Sequence, residues 1–274
     1  MFIIGERING MFRAVARAIK ERDEAVIADL ALRQVAGGAH ALDLNTGPTE
    51  GDPAEVMAWL VRTVQDAVNV PLCLDSPKPA VVRAGLEAAR GRCIINSTTG
   101  EKDRLDTLLP LVKEYGAGLI ALTIDERGIP RNAEARAEIA LTIVARTLEA
   151  GISPDQLYLD PIVLPVSAAQ DQVSAALGAM QTFRSLCEPS PHLIVGLSNV
   201  SQGTGHRPLV NRTFLVMAMA NGLDAAILDP LDQDLMDARR TAGILLNQEI
   251  YAEGFIPERP AVQGSATGRP TTTA

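Results

Sequence analysis

The sequence predicts a single α/β domain with a closed (β/α)8 barrel, the TIM-barrel architecture. Eight short apolar segments alternate with eight longer helical segments through most of the 274 residues. The first strand is followed by GERING at residues 5–10, which lacks the GxGxxG spacing expected of an open nucleotide-binding sheet. Hydrophobic residues make up 47% and aromatic residues only 3%, so small aliphatic side chains should fill the core.

The predicted strands are short runs of mainly aliphatic residues, the pattern of strands that are buried on both faces. In chain order these strands are residues 2–8, 41–47, 71–76, 93–98, 118–124, 157–163, 193–199 and 225–230.

The segments between the strands have the length and composition of helices. Pro53 opens one of them and Pro79 lies in the first turn of another, where a missing N–H costs nothing. The first helical segment should break near residues 21–23. The predicted helices are residues 13–37, 53–68, the segment from Pro79 onwards, 101–115, 133–150, 171–187, 211–222 and 232–250.

The composition excludes some classes of function and indicates where the barrel domain ends. The net charge of −8 and the pI of about 5.0 argue against a nucleic-acid surface. No apolar run reaches the ~18 residues of a membrane span. The barrel should occupy residues 1–254, and residues 255–274, rich in Pro, Thr and Gly, should form a disordered tail.

The cysteines and histidines do not form a metal-binding pattern. Cys73, Cys93 and Cys187 contain no CxxC pair, and the three histidines make no HxxxH or HExxH motif. We therefore expect no bound metal. Three thiols without a signal peptide indicate a reduced, cytoplasmic protein.

Polar side chains collect at the carboxyl ends of the predicted strands, where barrel enzymes place their chemistry. Helix capping would account for one such residue. It accounts poorly for Asp160 and Asn199, which lie well before the next predicted helices. The strand-end residues are Glu6, Asn9, Asp43, Asn45, Asp75, Asn96, Thr123, Asp160, Ser198, Asn199 and Asp229.

Carboxylates accept hydrogen bonds, and amides both accept and donate them. A ligand for such a rim should be a flat heterocycle rich in N–H groups, such as a pterin or a purine. Asp160, followed by Pro161, is the expected anchor, because a carboxylate can accept two parallel bonds from adjacent N–H and NH2 groups. Asp229 is interpreted as a cap or an inter-strand partner outside the site.

Seven ordered segments within residues 1 to about 255 resemble the methyltetrahydrofolate:corrinoid/iron–sulfur protein methyltransferase family, pterin-binding barrel enzymes of the acetyl-CoA (Wood–Ljungdahl) pathway. They are IIGERINGMF (3–12), ALDLN (41–45), LCLDS (72–76), INST (95–98), LYLDP (157–161), GLSNVSQ (196–202) and RPLVNRTFL (207–215).

The resemblance implies that the N5-methyl group of methyltetrahydrofolate passes to Co(I) of a cobamide on a separate corrinoid (iron–sulfur) protein. It also implies a homodimer. Asp75, Asn96 and Asp160 would bind the pterin, and Asn199 would contact N5. The chain lacks a DxHxxG cobamide motif, so the cobamide should arrive with the partner protein.

N5 is a poor leaving group unless it carries positive charge, and the predicted rim offers no His or Lys near it. Asn199 can accept a hydrogen bond from N5–H⁺, which would favour the transition state over the neutral folate. Ser198 and Gln202 are expected to contact water or the N5 side of the ring. Asp43 and Asn45 should orient Asp75 or bind the pterin indirectly.

Three other functions stay open at this point. The same chemistry could run from a methylcorrinoid protein to tetrahydrofolate, as in a demethylase system. A dihydropteroate synthase would require basic side chains after strands seven and eight, where Ser198, Asn199 and Asp229 stand instead. A non-catalytic folate-binding protein would keep the pterin contacts but would have no use for an amide at N5.

Overall fold

The computed structural model describes residues 1–256 and contains the predicted barrel. Its eight strands are parallel and adjacent in the order β7-β6-β5-β4-β3-β2-β1-β8. The strands are β1 (Phe2–Asn9), β2 (Ala41–Asn45), β3 (Leu72–Asp75), β4 (Cys93–Thr99), β5 (Gly118–Leu122), β6 (Leu157–Asp160), β7 (His192–Leu193) and β8 (Ala225–Leu228).

Backbone hydrogen bonds close the barrel between β7 and β8. The Asp224 N–H donates to the Leu193 carbonyl (3.3 Å), and the Ile227 N–H donates to the Val195 carbonyl (2.9 Å). The predicted (β/α)8 fold is therefore confirmed.

Helices surround the barrel and, as predicted, the first helical segment is broken. Arg22 adopts a left-handed conformation (φ 54°), and the Asp23 side chain then caps the next helix. The helices are α1 (Arg13–Glu21), α2 (Glu24–Ala36), α3 (Pro53–Ala67), α4 (Pro79–Ala88), α5 (Lys102–Tyr115), α6 (Ala133–Glu149), α7 (Val166–Phe183), α8 (Arg207–Ala220) and α9 (Gln233–Leu245).

Several predicted boundaries are wrong. Helices α7 and α8 begin earlier than residues 171 and 211, because Pro165 and Pro208 suit the start of a helix. Residues 197–199 form a 3₁₀ turn instead of the end of strand seven. Helix α9 ends at Leu245, before the predicted residue 250, and Asn247 then adopts a positive φ of 57°.

The barrel interior is apolar below its mouth. Its packed side chains include Ile4, Cys73, Ile94, Ile120 and Ala225, which form a cluster separate from the larger one between barrel and helices. Because side chains alternate between the two faces of a strand, a residue two positions after one of these apolar residues also points into the barrel. At the carboxyl ends of the strands, such residues lie at the mouth. This alternation brings polar groups to the mouth.

Within residues 1–256, no helix is long and apolar enough to span a membrane. The predicted tail, residues 255–274, lies outside the described part of the chain from residue 257 onwards. The predicted domain boundary at residue 254 stays a prediction.

Candidate active site

An arc of polar side chains runs across four neighbouring strands at one level of the mouth. Asn9, Asn45, Asp75 and Asn96 are successive Cα partners in the pairing of β1 to β4. Partners in a parallel register project their side chains to the same face of the sheet. Asp75 and Asn96, which are both predicted to bind the pterin, are therefore neighbours.

Asn45 orients Asp75. Its Nδ2 donates to Oδ2 of Asp75 (2.6 Å), and its Oδ1 accepts a bond from the Gly47 N–H (2.7 Å). This second bond fixes which end of the amide faces the carboxylate. Asp75 thus keeps acceptor capacity for a ligand in the mouth.

Asp43 lies beneath this arc and is almost fully buried. Its Oδ1 accepts a bond from Nδ2 of Asn96 (3.0 Å). Burial, and then the charge of Asp75, raise the pKa of Asp43 to about 8. Asp43 therefore favours its protonated form near neutral pH and orients Asn96. Burial also raises the pKa of the more accessible Asp75, and the hydrogen bond from Asn45 opposes that shift.

Asp160 stands at the end of β6, where it is held by the backbone. Its Oδ1 accepts a bond from the Ile162 N–H (2.7 Å), and the Gly196 N–H also bonds its carboxyl group. Burial raises its pKa to about 7 despite these two bonds. Ile162 adopts a φ of 64°, which is strained for a β-branched residue.

A buried arginine supports this strained turn. Arg136 on α6 is 0% exposed, and its guanidinium donates to the Pro161 carbonyl (2.7 Å), the Asn132 carbonyl (3.2 Å) and Oε1 of Gln172 (3.3 Å). All three acceptors are neutral. This role is not predictable from the sequence, because an arginine on a helix is usually exposed.

We expect Arg136→Met to weaken pterin binding by about tenfold while changing the free energy of unfolding by less than about 2 kcal/mol. Loss of the bond to Pro161 lets the turn relax and displaces Asp160. The free energy gained because no charge has to be buried offsets the free energy lost with the hydrogen bonds of Arg136. Calorimetric titration with tetrahydrofolate measures the affinity, and unfolding by urea measures the stability. An unchanged affinity would contradict the role of Arg136 in positioning Asp160.

Asn199 reaches the mouth from the 3₁₀ turn at Leu197–Asn199, so the prediction that strand seven ends on it is wrong. The Asn199 N–H bonds the Gly196 carbonyl (3.2 Å), which curls the chain after Val195. Its side-chain Oδ1 accepts a bond from Nε2 of Gln202 (3.1 Å). The predicted residues Asn199 and Gln202 therefore act as a pair.

A cavity of about 590 Å³ opens beside this pair, on the β7, β8 and β1 side of the mouth. Its wall combines amides, both signs of charge and an apolar patch. The lining residues are Glu6, Arg7, Asn9, Met11, Phe12, Ser198, Asn199, Gln202, Arg207, Pro208, Asn211, Asp229, Asp232 and Leu235. Asp75, Asn96 and Asp160, the predicted pterin contacts, are not in this wall.

Glu6 lines this cavity and was not among the residues predicted to form the site. Its Oε1 accepts a bond from the Ser198 hydroxyl (2.7 Å), so Ser198 contacts Glu6 and orients it. Burial raises the pKa of Glu6, the bond from Ser198 opposes the shift, and nearby Asp229 adds to it. The alternation of Phe2, Ile4 and Glu6 on β1 was the signal that could have revealed it.

Asp229, which was predicted to lie outside the site, is on the cavity wall. It also has the capping and inter-strand contacts that were expected: Oδ1 accepts a bond from the Leu231 N–H (3.0 Å), and Oδ2 lies 3.4 Å from Nη1 of Arg7. Arg207 contacts Oγ of Ser201 and the Ser198 carbonyl. The mouth therefore carries two arginines that the strand-end pattern missed.

Comparisons with known proteins show the family of this chain. The family described as pterin binding enzyme matches residues 11–229. The chain is also 34% identical over 251 residues to methylcorrinoid:tetrahydrofolate methyltransferase of Eubacterium limosum, across 91% of this chain and 92% of the relative. This chain belongs to the pterin-binding enzyme family.

This pterin-binding enzyme also matches one region of longer proteins. Methionine synthase of Mycobacterium leprae is 30% identical over 94% of the chain, which corresponds to 23% of that relative. Among solved structures, dihydropteroate synthases from Clostridium difficile and Yersinia pestis superpose with TM-scores of 0.66 and 0.64. The Clostridium difficile enzyme is 13% identical, and the match covers 89% of this chain and 96% of that enzyme. The Yersinia pestis enzyme is 15% identical, and the match covers 90% of this chain and 94% of that enzyme. That likeness supports the fold alone.

The pterin-binding enzyme thus has two adjoining polar regions at its mouth. The acceptor arc, defined by Asp75 on β3, Asn96 on β4 and Asp160 on β6, suits the N–H edge of a heterocycle. The 590 Å³ cavity beside Asn199 and Glu6 has room for a substituent on the opposite side of that heterocycle. Within residues 1–256, no cluster of three or more His, Cys, Asp or Glu side chains could hold a metal ion.

Proposed function

We propose that this enzyme transfers a methyl group between N5 of tetrahydrofolate and the cobalt of a corrinoid protein. The observation that carries the proposal is the joint presence of Asn199, a neutral amide, and Glu6, a partly buried carboxyl with a raised pKa, on one cavity wall. A protein that only bound a pterin would not require either group there. The relative from Eubacterium limosum supports the same reaction class.

The acceptor arc orients the substrate. A pterin presents N3–H and the 2-amino group along one edge, and Asp75 and Asp160 are suited to accept from that edge with help from Asn96. N5 and C6 lie at the opposite corner of the bicyclic ring. With the N–H edge in the arc, N5 therefore points towards Asn199 and the 590 Å³ cavity.

Asn199 and Glu6 handle the proton on N5. When the methyl group leaves the folate, the N5–C bond breaks and N5 must already be protonated, so Oδ1 of Asn199 accepts a bond from N5–H⁺. When the folate is methylated, the N5 lone pair forms the N5–C bond, the carbon–cobalt bond breaks with both electrons left on the partner's cobalt, and the N5 proton must leave. We assign the ionised Glu6 carboxylate as the acceptor of this proton, because its raised pKa makes it a stronger base than an exposed glutamate.

The name of the Eubacterium limosum relative favours transfer from the methylcorrinoid protein to tetrahydrofolate. Transfer from methyltetrahydrofolate to Co(I), the direction of the acetyl-CoA (Wood–Ljungdahl) pathway, is the second candidate, favoured by the sequence motifs. We propose that the cobamide comes with the partner in both cases. A cytoplasmic location is also proposed, supported by free thiols at all three cysteines.

Free cobalamin tests the reaction without knowledge of the partner. The purified protein is mixed with methylcobalamin and tetrahydrofolate in one assay, and with Co(I) cobalamin and methyltetrahydrofolate in the other. We expect spectral conversion of the cobalamin in both, and the initial rates compare the directions. Folate binding without any conversion would overturn the proposal in favour of a binding protein, and formation of dihydropteroate from a pterin diphosphate would indicate a synthase.

We propose a homodimer that forms through the outer face of α8. The exposed residues of that face are uncharged over three turns: Leu209, Thr213, Val216, Met217 and Ala220. An uncharged helix face of this length is unusual on a chain with 21% charged residues.

Val216→Glu should convert the dimer to a monomer in light scattering after gel filtration, because it places a charge in the apolar contact. Leu32→Glu, at an exposed leucine on α2, is the matched control and should leave the dimer intact. A wild-type monomer, or a dimer that tolerates Val216→Glu, would refute the assigned face.

A further inference from the structure

An additional helix lies on the rim of the barrel. Two helices, α1 and α2, follow β1, whereas one is sufficient for a βα unit. The segment before α1 contacts the loop after β2 closely: a Cβ on Gly10 would lie 2.2 Å from the Thr46 carbonyl oxygen. Helix α1 is therefore held next to the mouth.

The two faces of α1 differ in chemistry. Val15, Ala18 and Ile19 are buried against the barrel. The outer face carries Arg13, Arg17 and Lys20, all exposed and spaced so that they form one stripe. A concentrated positive surface on a chain of net charge −8 indicates an anionic ligand.

A groove of about 460 Å³ separates α1 from the loop after β2. Arg17, Lys20 and Arg22 line one side, and Pro48 and Glu50 line the other. Lys20 bonds Glu50 across the groove (2.9 Å), and Arg17 lies 3.7 Å from Glu21. These ion pairs are exposed and therefore weak, so a carboxylate ligand can compete with Glu50 and Glu21 for the two cations.

The 590 Å³ cavity extends from the wall that carries Asn199 to the segment immediately before this helix. The side chain of a folate is attached at C6, next to N5, so it must enter the cavity beside Asn199. The cavity wall includes Met11 and Phe12, the two residues immediately before α1, and Met11 is 70% exposed. A chain extending from the folate past these residues meets the cationic stripe.

We propose that the groove beside α1 binds the poly-γ-glutamate chain of reduced folates. The proposal rests on the proposed function, which places the folate in the mouth. Arg13 and Lys20 are seven residues apart, or about 10.5 Å along the helix. A γ-linked glutamate is longer than an α-linked residue and spans roughly 6 Å, so two added glutamates match the stripe.

The test compares the affinities of tetrahydrofolate monoglutamate and triglutamate by calorimetric titration. The triglutamate should bind roughly tenfold more tightly at low salt, and the advantage should shrink at high salt. The double variant Arg17→Gln/Lys20→Gln should remove the advantage and leave monoglutamate affinity unchanged. Glu50→Gln should increase the advantage because it removes the carboxylate that competes for Lys20.

Arg33→Gln, at an exposed arginine on α2 with a comparable ion pair to Asp29, is the control and should preserve the triglutamate advantage. Equal affinities for the two folates would overturn the inference while leaving the proposed function intact. Failure of the monoglutamate itself to bind would instead defeat the proposed function. If the double variant kept the triglutamate advantage but lost transfer to a corrinoid protein, the stripe would be a protein-docking surface and the inference would be wrong.

Discussion

Asn199→Ala is expected to slow methyl transfer by roughly 10-fold to 10³-fold, as loss of a single preorganised polar contact does in other enzymes. The alanine removes the oxygen that accepts a bond from N5–H⁺. That bond gains strength as charge develops on N5, so its loss should lower the rate constant of transfer more than the affinity for the folate. Pterin binding should weaken by a smaller factor, because Asp75, Asn96 and Asp160 are unaffected.

Single-turnover kinetics with free cobalamin separate the transfer step from binding. Gln202→Ala is an informative companion, because Nε2 of Gln202 donates a hydrogen bond to Oδ1 of Asn199 (3.1 Å). Its removal leaves the oxygen available to N5–H⁺, so the rate should change far less than in Asn199→Ala. An Asn199→Ala enzyme with the wild-type rate would exclude Asn199 from the mechanism.

The barrel could be predicted because its signals are local and repeated. Each strand is a buried aliphatic run, and each polar strand end faces the same rim, so Asp75, Asn96 and Asp160 could be selected without coordinates. Their contacts with Asn45, Asp43 and the turn after Asp160 depend on register between strands. Register was not readable from one sequence.

The errors cluster where the chain leaves the regular pattern. The apolar run before Asn199 looks like a long strand, yet the paired strand covers only His192–Leu193, and the 3₁₀ turn follows. Pro165 and Pro208 stand at the starts of α7 and α8 as Pro53 and Pro79 stand at the starts of α3 and α4, but polar residues after each of them obscure the helical pattern. Glu6 and Asp229 were visible as strand-end acids, but their shared cavity arises only when β1 and β8 meet.

Asp160→Asn is expected to weaken pterin binding by on the order of 10²-fold or more. The carboxylate can accept two charge-assisted bonds from the N–H edge of the pterin, whereas an asparagine offers one oxygen and presents its own NH2 group to a donor. Asp29→Asn, at an exposed aspartate on α2, is the matched control and should leave affinity unchanged. A variant that bound tetrahydrofolate as tightly as the wild type would remove Asp160 from the pterin site.

The same substitution has a pH signature whose sign follows from burial. The folded-state pKa of Asp160, about 7, lies above the ordinary 3.8, so the folded protein holds a proton that the unfolded chain releases. Asp160 therefore lowers the free energy of unfolding progressively as pH rises from 3.8 to about 7, and adds no further change above that. The stability of Asp160→Asn relative to the wild type should rise over this window and then level off.

Ligand binding should show the complementary trend. Wild-type affinity for the folate should increase as pH rises towards about 7, because the ionised carboxyl accepts both bonds, and the variant should lose this component. Chemical unfolding and calorimetric titration across the same pH series measure the two trends on one pair of proteins. A stability difference that did not vary with pH would mean that Asp160 is not held protonated by burial, even if its removal weakened binding.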